Sequence, residues 1–200
     1  MQSPRIDALV LAAGRSLRAG GSNKLLLPWQ DKVVVEHAVD AALLSHVTSV
    51  HVVSGHDQPS LQAVLNGRDL NWIHNSNYRS GISSSINAGV SQLSAEVDGV
   101  LLCLGDMPWV SERQINRLVD GFQPDSVRVA CFGKRRGHPV LFPRAWFDKL
   151  MQLTGDDVAR CLFDSLASAV VEVAMADDAV LRDVDHEGDL DMESDFRASA

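Results

Sequence analysis

The chain has 200 residues, 46% of them apolar and 22% charged, and a net charge of -8. That is enough chain for one domain with a sizeable core, which excludes disorder as the whole answer. The acidic balance also speaks against a broad nucleic-acid surface, because neutralising phosphates needs a basic excess. The longest apolar runs, Ala8 to Ala13 and Val100 to Leu104, fall far short of the roughly 18 residues of a membrane-spanning helix. Met1 to Asp7 lacks the basic and apolar stretches of a secretion signal, so a cytoplasmic location without a membrane partner is expected. Cys103, Cys131 and Cys161 are odd in number and form no Cys-x-x-Cys pair, which argues against a disulfide framework or a zinc site.

Along the chain, strand-like apolar runs fall at Ile6 to Ala12, Ser49 to Val53, Trp72 to His74, Gly99 to Leu104 and Val127 to Phe132. Helical spacing falls between them at Val34 to Leu44, Ser60 to Leu65, Ser83 to Leu93 and Glu112 to Phe122. Such alternation predicts an α/β fold, a mostly parallel sheet with helices on both faces, in a single domain spanning residues 1–200. After Phe132 the rhythm changes. Gly133 to Pro139 reads as a turn-rich connection, followed by a short apolar run to Phe142 and a helix from about Ala145 to Leu153. Another helix is predicted at Asp157 to Ser165 and a β-rich stretch at Ala169 to Ala174. Ligands of such sheets sit at the carboxyl ends of the strands, so the loops after the first and fourth strands are where chemistry is expected.

The first of these loops follows a buried strand with three glycines and three cations, Arg15, Arg18 and Lys24. Glycines allow backbone N–H groups to approach a polyphosphate, and the cations neutralise it. The loop is neither a P-loop nor the Gly-x-Gly-x-x-Gly dinucleotide fingerprint. The second loop, Gly105-Asp106-Met107-Pro108, sets a carboxylate at the sheet rim. Magnesium needs one or two carboxylates beside substrate phosphates; the competing role for Asp106 is to cap the helix that begins near Ser111. Near the C-terminus, where nine Asp or Glu stand against one Arg from Asp177 to Asp195, an alternating strand end would aim Asp183 and Asp185 to one side. Ser83, Ser84 and Ser85 lead into a helix and offer hydroxyls at its positive end, one of them explained by capping alone. Gly137-His138-Pro139 joins a cationic turn, Lys134 to Arg136, to a possible substrate loop.

Taken in order, Leu-Ala-Ala-Gly14-Arg15-Ser16-x-Arg18, Lys24-Leu-Leu-Leu-Pro-Trp, Asn75 to Ser85, Gly105-Asp106-Met-Pro, Gly137-His-Pro-Val and Asp183-Val-Asp185 resemble the molybdenum cofactor nucleotidyltransferases. The resemblance is to the molybdopterin cytidylyltransferase branch and runs from about Ile6 to Leu190. It implies a Rossmann-like, three-layer nucleotidyltransferase domain that moves CMP from CTP to the terminal phosphate of molybdopterin and releases pyrophosphate. Ala12, Ala13 and Gly14 would contact base and sugar, with Arg15 and Ser16 in the same nucleotide-binding loop. Arg18 and Lys24 would hold the triphosphate, and Asp106 and Asp185 would bind Mg2+. Asn75, Gly81, Ser83, Ser84 and Ser85 would lie beside the nucleotide; Gly137, His138 and Pro139 would form the pterin side of the cleft. A molybdenum hydroxylase or its maturation factor would be the implied protein partner.

Three departures from the family pattern stand out. Ala19 replaces a usual Met, Val158 replaces a usual Gly in a Gly-Asp-x-Gly-Ala-Arg run, and His186-Glu187 replace Thr-Pro after Asp185. Ala13, where guanylyl-transferring relatives usually have Gly, points to CTP. The alternatives are the same fold acting with GTP or on another small phosphorylated acceptor, and a non-catalytic carrier of finished cofactor.

Overall fold

A computed structural model describes residues 3–14, 23–155 and 169–191. Its centre is a seven-stranded sheet: β1 (Ile6–Ala12), β4 (Ser49–Ser54), β5 (Asn71–His74), β6 (Gly99–Leu104), β7 (Val127–Phe132), β8 (Arg135–Pro143) and β9 (Val170–Ala174). Their spatial order is β5-β4-β1-β6-β8-β7-β9. A separate two-stranded ribbon, β2 (Pro28–Trp29) with β3 (Lys32–Val33), precedes the first helix. The helices are α1 (Val34–Leu43), α2 (Gln58–Val64), α3 (Ile82–Val90), α4 (Glu112–Val119) and α5 (Phe147–Met151).

Strand alternation sorts the core onto two faces. Ile6, Ala8 and Val10 of β1 and Leu101 and Cys103 of β6 face α1 and α4, joined by Val35, Val39, Ile115 and Leu118. Leu9 of β1 and Val100 and Leu102 of β6 face α3 and α5, meeting Ile86, Val90, Phe147 and Leu150. Both central strands are therefore buried on either side, which explains their unbroken apolar sequence. This is the expected three-layer α/β architecture.

The chain leaves β1 towards β4 on one side and returns through β6 on the other, both parallel to β1. The carboxyl ends of β1 and β6 thus flank a topological switch point, where such sheets bind ligands. Two predicted elements differ. Residues 133–139 are not a plain connection: β8 begins at Arg135 and pairs antiparallel with β6 and β7. Gly133, at φ +61, makes the tight turn that a non-glycine residue would resist. The helix expected over 145–153 is a 3-10 turn, Arg144–Trp146, running into the short α5. The helix expected at 157–165 and Cys161 lie outside the described residues. Cys103 and Cys131 are buried free thiols, and burial pushes Cys103 up to about 12.

Candidate functional site

At the end of β1, Ala12 and Ala13 are buried and Gly14 is exposed. Among the described residues, a Cβ on Gly14 would meet nothing within 4 Å. The Ala13 side chain points away from solvent and packs where Gly55 lets Tyr78 approach; a Cβ on Gly55 would stand 2.7 Å from the Tyr78 Cβ and 2.9 Å from the Ala13 Cβ. Only the backbone of Ala13 is left to meet a nucleotide. Gly55 and Tyr78 were not legible as site residues, because nothing in sequence links them to the first loop.

At the end of β6, the Gly105 N–H donates to the Leu11 carbonyl at 3.0 Å. This bond holds the Gly105–Asp106 turn against the end of β1. Asp106 does not cap α4. Ser111 does, accepting from the Gln114 N–H while the Gln114 side chain accepts from the Ser111 N–H, a complete capping box. The Asp106 carboxylate is therefore available for other work.

Lys24 supplies its first partner. Asn23 caps the 3-10 turn Lys24–Leu26 by accepting from the Leu25 N–H, and this aims the Lys24 ammonium to 2.7 Å from Asp106 and 3.3 Å from Asp185. Burial alone would lower Lys24, but Asp106 and then Asp185 outweigh it and hold the ammonium above its ordinary value.

Asp185 arrives differently from expectation. Residues 182–187 form no strand; they link the 3-10 turn Asp178–Leu181 to the helical turn Gly188–Asp191. The segment is fixed instead by the Val184 N–H donating to the Asp106 carbonyl at 2.8 Å. Asp189, which sequence reasoning missed, accepts from the N–H groups of Asp185 and His186, each at 2.8 Å. These bonds hold its carboxyl below the ordinary range, the His186 N–H first. Asp183 sits close enough that burial, then Asp106 and Asp185, push its carboxyl up. Three carboxylates thus converge on one ammonium.

The serine cluster also differs in detail. The N-cap of α3 is Gly81, at φ 91, and none of the serines fills that place. Ser84 donates to the Gly81 carbonyl at 2.8 Å. Asn75 is buried and donates from one amide nitrogen to the hydroxyls of Ser84 at 2.8 Å and Ser85 at 3.0 Å. Its amide oxygen accepts from the Asn77 N–H. Asn75 therefore orients the serines. A polar groove beside them is lined by Asn75, Asn77, Ser80, Ser83, Ser84 and Asn87, among others.

Gly137, His138 and Pro139 lie in β8 next to the acidic rim. His138 and Pro139 line a small cavity with Cys103, Leu104, Met107 and Val110. Burial pushes the His138 imidazole below its ordinary value, against the pull of Asp106 and of the Leu102 backbone. Its Nδ1 is enclosed and, among the described residues, has no hydrogen-bond partner. Of the cationic turn, Arg136 pairs with Glu172 of β9 at 2.7 Å. Arg15, Ser16 and Arg18 lie outside the described residues, as do Ala19, Val158 and Arg160.

Residues 8–170 match the model of a family described as the MobA-like NTP transferase domain. The chain belongs to this family. The MobA-like chain is 31% identical to the purine catabolism protein PucB of Bacillus subtilis over 203 residues, covering 96% of this chain and 97% of that protein. It is 26% identical to the nicotine blue oxidoreductase of Paenarthrobacter nicotinovorans, covering 91% and 93%. Among solved structures it is similar to the homologue of Mycobacterium tuberculosis Rv0371c from Mycobacterium sp. strain JC1, with TM-score 0.85, 25% identity and complete coverage of both chains. Rv0371c in complex with manganese matches with TM-score 0.71 and 26% identity over 86% of this chain and 88% of that one. Membership makes the protein a nucleotidyltransferase of the MobA-like type.

The donor set suits a hard divalent cation. Asp106 and Asp185 already share one positive charge, the Lys24 ammonium, and carboxylate oxygens are the ligands magnesium and manganese prefer. Among the described residues no group of three or more His, Cys, Asp or Glu has the geometry of a complete cage. A cation bound here would take its remaining ligands from substrate phosphates and water.

Proposed function

We propose that the protein transfers CMP from CTP to the terminal phosphate of molybdopterin, forming molybdopterin cytosine dinucleotide and releasing pyrophosphate. The observation that carries the reading is the meeting of Lys24, Asp106 and Asp185 at the carboxyl ends of β1 and β6, which the Gly105 N–H to Leu11 carbonyl bond joins. The acceptor needs no general base: a phosphate monoester has its second pKa near ~6 and is largely dianionic at neutral pH. An acceptor phosphate oxygen forms a bond to the α-phosphorus of CTP, the α–β bridging P–O bond breaks, and its electron pair leaves with pyrophosphate. The residues supply alignment and charge. Asp106 and Asp185 would hold Mg2+, which neutralises phosphate charge when bound. Lys24, whose ammonium lies at the same carboxylates, would supply positive charge to the triphosphate. Arg18, Arg15 and Ser16 would complete the loop, and Ser83 to Ser85 would face the nucleoside. Ala13, where guanylyl-transferring relatives usually have Gly, supports CTP as the donor.

Incubation with Mg2+, molybdopterin and each triphosphate tests the proposal. Pyrophosphate release with CTP is expected; release with GTP and not CTP overturns the base assignment, and tight cofactor binding without turnover favours a carrier. The name of the Paenarthrobacter relative motivates one further control. Nicotinamide-linked reduction would need a dinucleotide site, whereas β4 ends in Val53-Ser54 without an acid at its carboxyl end for the ribose. No oxidation of NADH or NADPH is expected.

A further inference from the structure

Gly137, His138 and Pro139 form a bulge in β8. Val129 pairs with Val140 and Cys131 with Arg136, so these three residues face Ala130 alone on β7. Bulges bend a strand and re-aim it, and they accept a proline that a regular ladder would not. This one is aimed at both carboxylate-bearing segments. Gly137 lies against the Val180 carbonyl so closely that a Cβ would overlap that backbone oxygen. Val180 is fully buried in the 3-10 turn that leads to Asp183 and Asp185. On the other side, His138 and Pro139 line a cavity with Cys103, Leu104 and Met107, the residues that flank Gly105 and Asp106. The Val184 N–H to Asp106 carbonyl bond closes the arrangement.

We propose that the bulge is a positioning device for the acidic pair: it spaces the Asp185 segment from Asp106 so that both carboxylates reach one divalent cation. The inference rests on the metal reading given above. It gives Gly137 and His138 a task distinct from contact with the pterin, because they act through Asp106 and Asp185. Metal ligands must lie within about 0.2 Å of their preferred distances, and a methyl group at Gly137 can be relieved only by moving the Val180 backbone.

The test is manganese affinity of the full chain, read from the paramagnetic resonance of free Mn2+, with circular dichroism to show that each variant is folded. Gly137→Ala is expected to weaken Mn2+ binding about tenfold or more, roughly 1.4 kcal/mol. Gly99→Ala is the control: at the opposite end of β6 its Cβ would crowd Phe122 and Ile6 at 2.8 and 2.9 Å. It is expected to lower the melting temperature and leave Mn2+ affinity unchanged. If Gly137→Ala does not fold, Leu181→Ala loosens the same contact from the other side and is expected to weaken Mn2+ binding likewise. Wild-type affinity in the folded bulge variant overturns the positioning role and spares the metal reading. Absence of Mn2+ binding by the wild type, or undiminished binding by Asp106→Asn, overturns the metal reading and the positioning role with it.

Discussion

Asp106 ends a buried strand, is set against the end of β1 by the Gly105–Leu11 bond, and is relieved of capping by Ser111. Asp106→Asn keeps the shape and removes the charge, so turnover should fall on the order of 100- to 1,000-fold, the scale of removing one electrostatic stabiliser, with melting little changed. Activity near wild type would remove Asp106 from the chemistry. Lys24 has two tasks that experiment can separate. Lys24→Ala should weaken CTP binding about tenfold. Without divalent ion it should also lower the melting temperature, because Asp106, Asp183 and Asp185 then face one another without the ammonium. Added Mn2+ should therefore raise the melting temperature of Lys24→Ala by more than that of the wild type. Equal increments would mean that the ammonium and the ion do not share a site. Asp106 and Lys24 were legible in sequence because each sits at a fixed offset from a buried strand or a glycine-rich loop. Asp189, Gly55 and Tyr78 were not: their roles arise from contacts between segments far apart in the chain.

At the scale of elements, the five strands read from apolar runs appear with bounds moved by at most a residue; for β1 and β6 burial on both faces leaves a signal that surface context cannot dilute. β8 was hidden. Its first residues, Arg135, Arg136 and Gly137, carry charge or lack a side chain, and its bulge breaks the period on which a strand is recognised. Packing of α3 on the sheet depends on Gly89, where a Cβ would stand 2.6 Å from Leu9 Cδ1. Gly89→Ala should cost about 1–3 kcal/mol by overpacking, readable in urea unfolding; an unchanged midpoint would show that Leu9 can repack freely. Arg68 ties the end of α2 to α1, bonding Asp40 at 2.6 Å and Glu36 at 2.8 Å. Burial would raise the Asp40 carboxyl, but Arg68 and then Lys32 outweigh it and hold it below its ordinary 3.8. A lowered folded-state value contributes stability that is present above pH 3.8 and lost as pH falls through the lower folded value. Arg68→Met should therefore cost about 1 kcal/mol near pH 7, a figure discounted for solvent screening, and the gap from wild type should close below pH 4. A gap that persists there would assign the loss to packing alone.

For the whole molecule, a net charge of -8 and a phosphate-bearing substrate are compatible because charge is organised locally. Lys24 gathers three carboxylates at one rim, while Arg136 is paired with Glu172 in the β7–β8–β9 region. The acidic C-terminal segment, which in sequence reads equally as solvated surface, brings Asp185 to the Lys24 ammonium, with Asp189 accepting from the Asp185 N–H and Asp183 close by. These carboxylates would hold a divalent cation, whose charge would offset that of a triphosphate. The measurement that bears most directly on this account is transfer of label from α-phosphate-labelled CTP to molybdopterin, with Mg2+ and an equal concentration of unlabelled GTP present. The account predicts labelled molybdopterin cytosine dinucleotide, one pyrophosphate released for each, and loss of both in Asp106→Asn; labelling that is abolished by GTP, or that persists undiminished in Asp106→Asn, would contradict it.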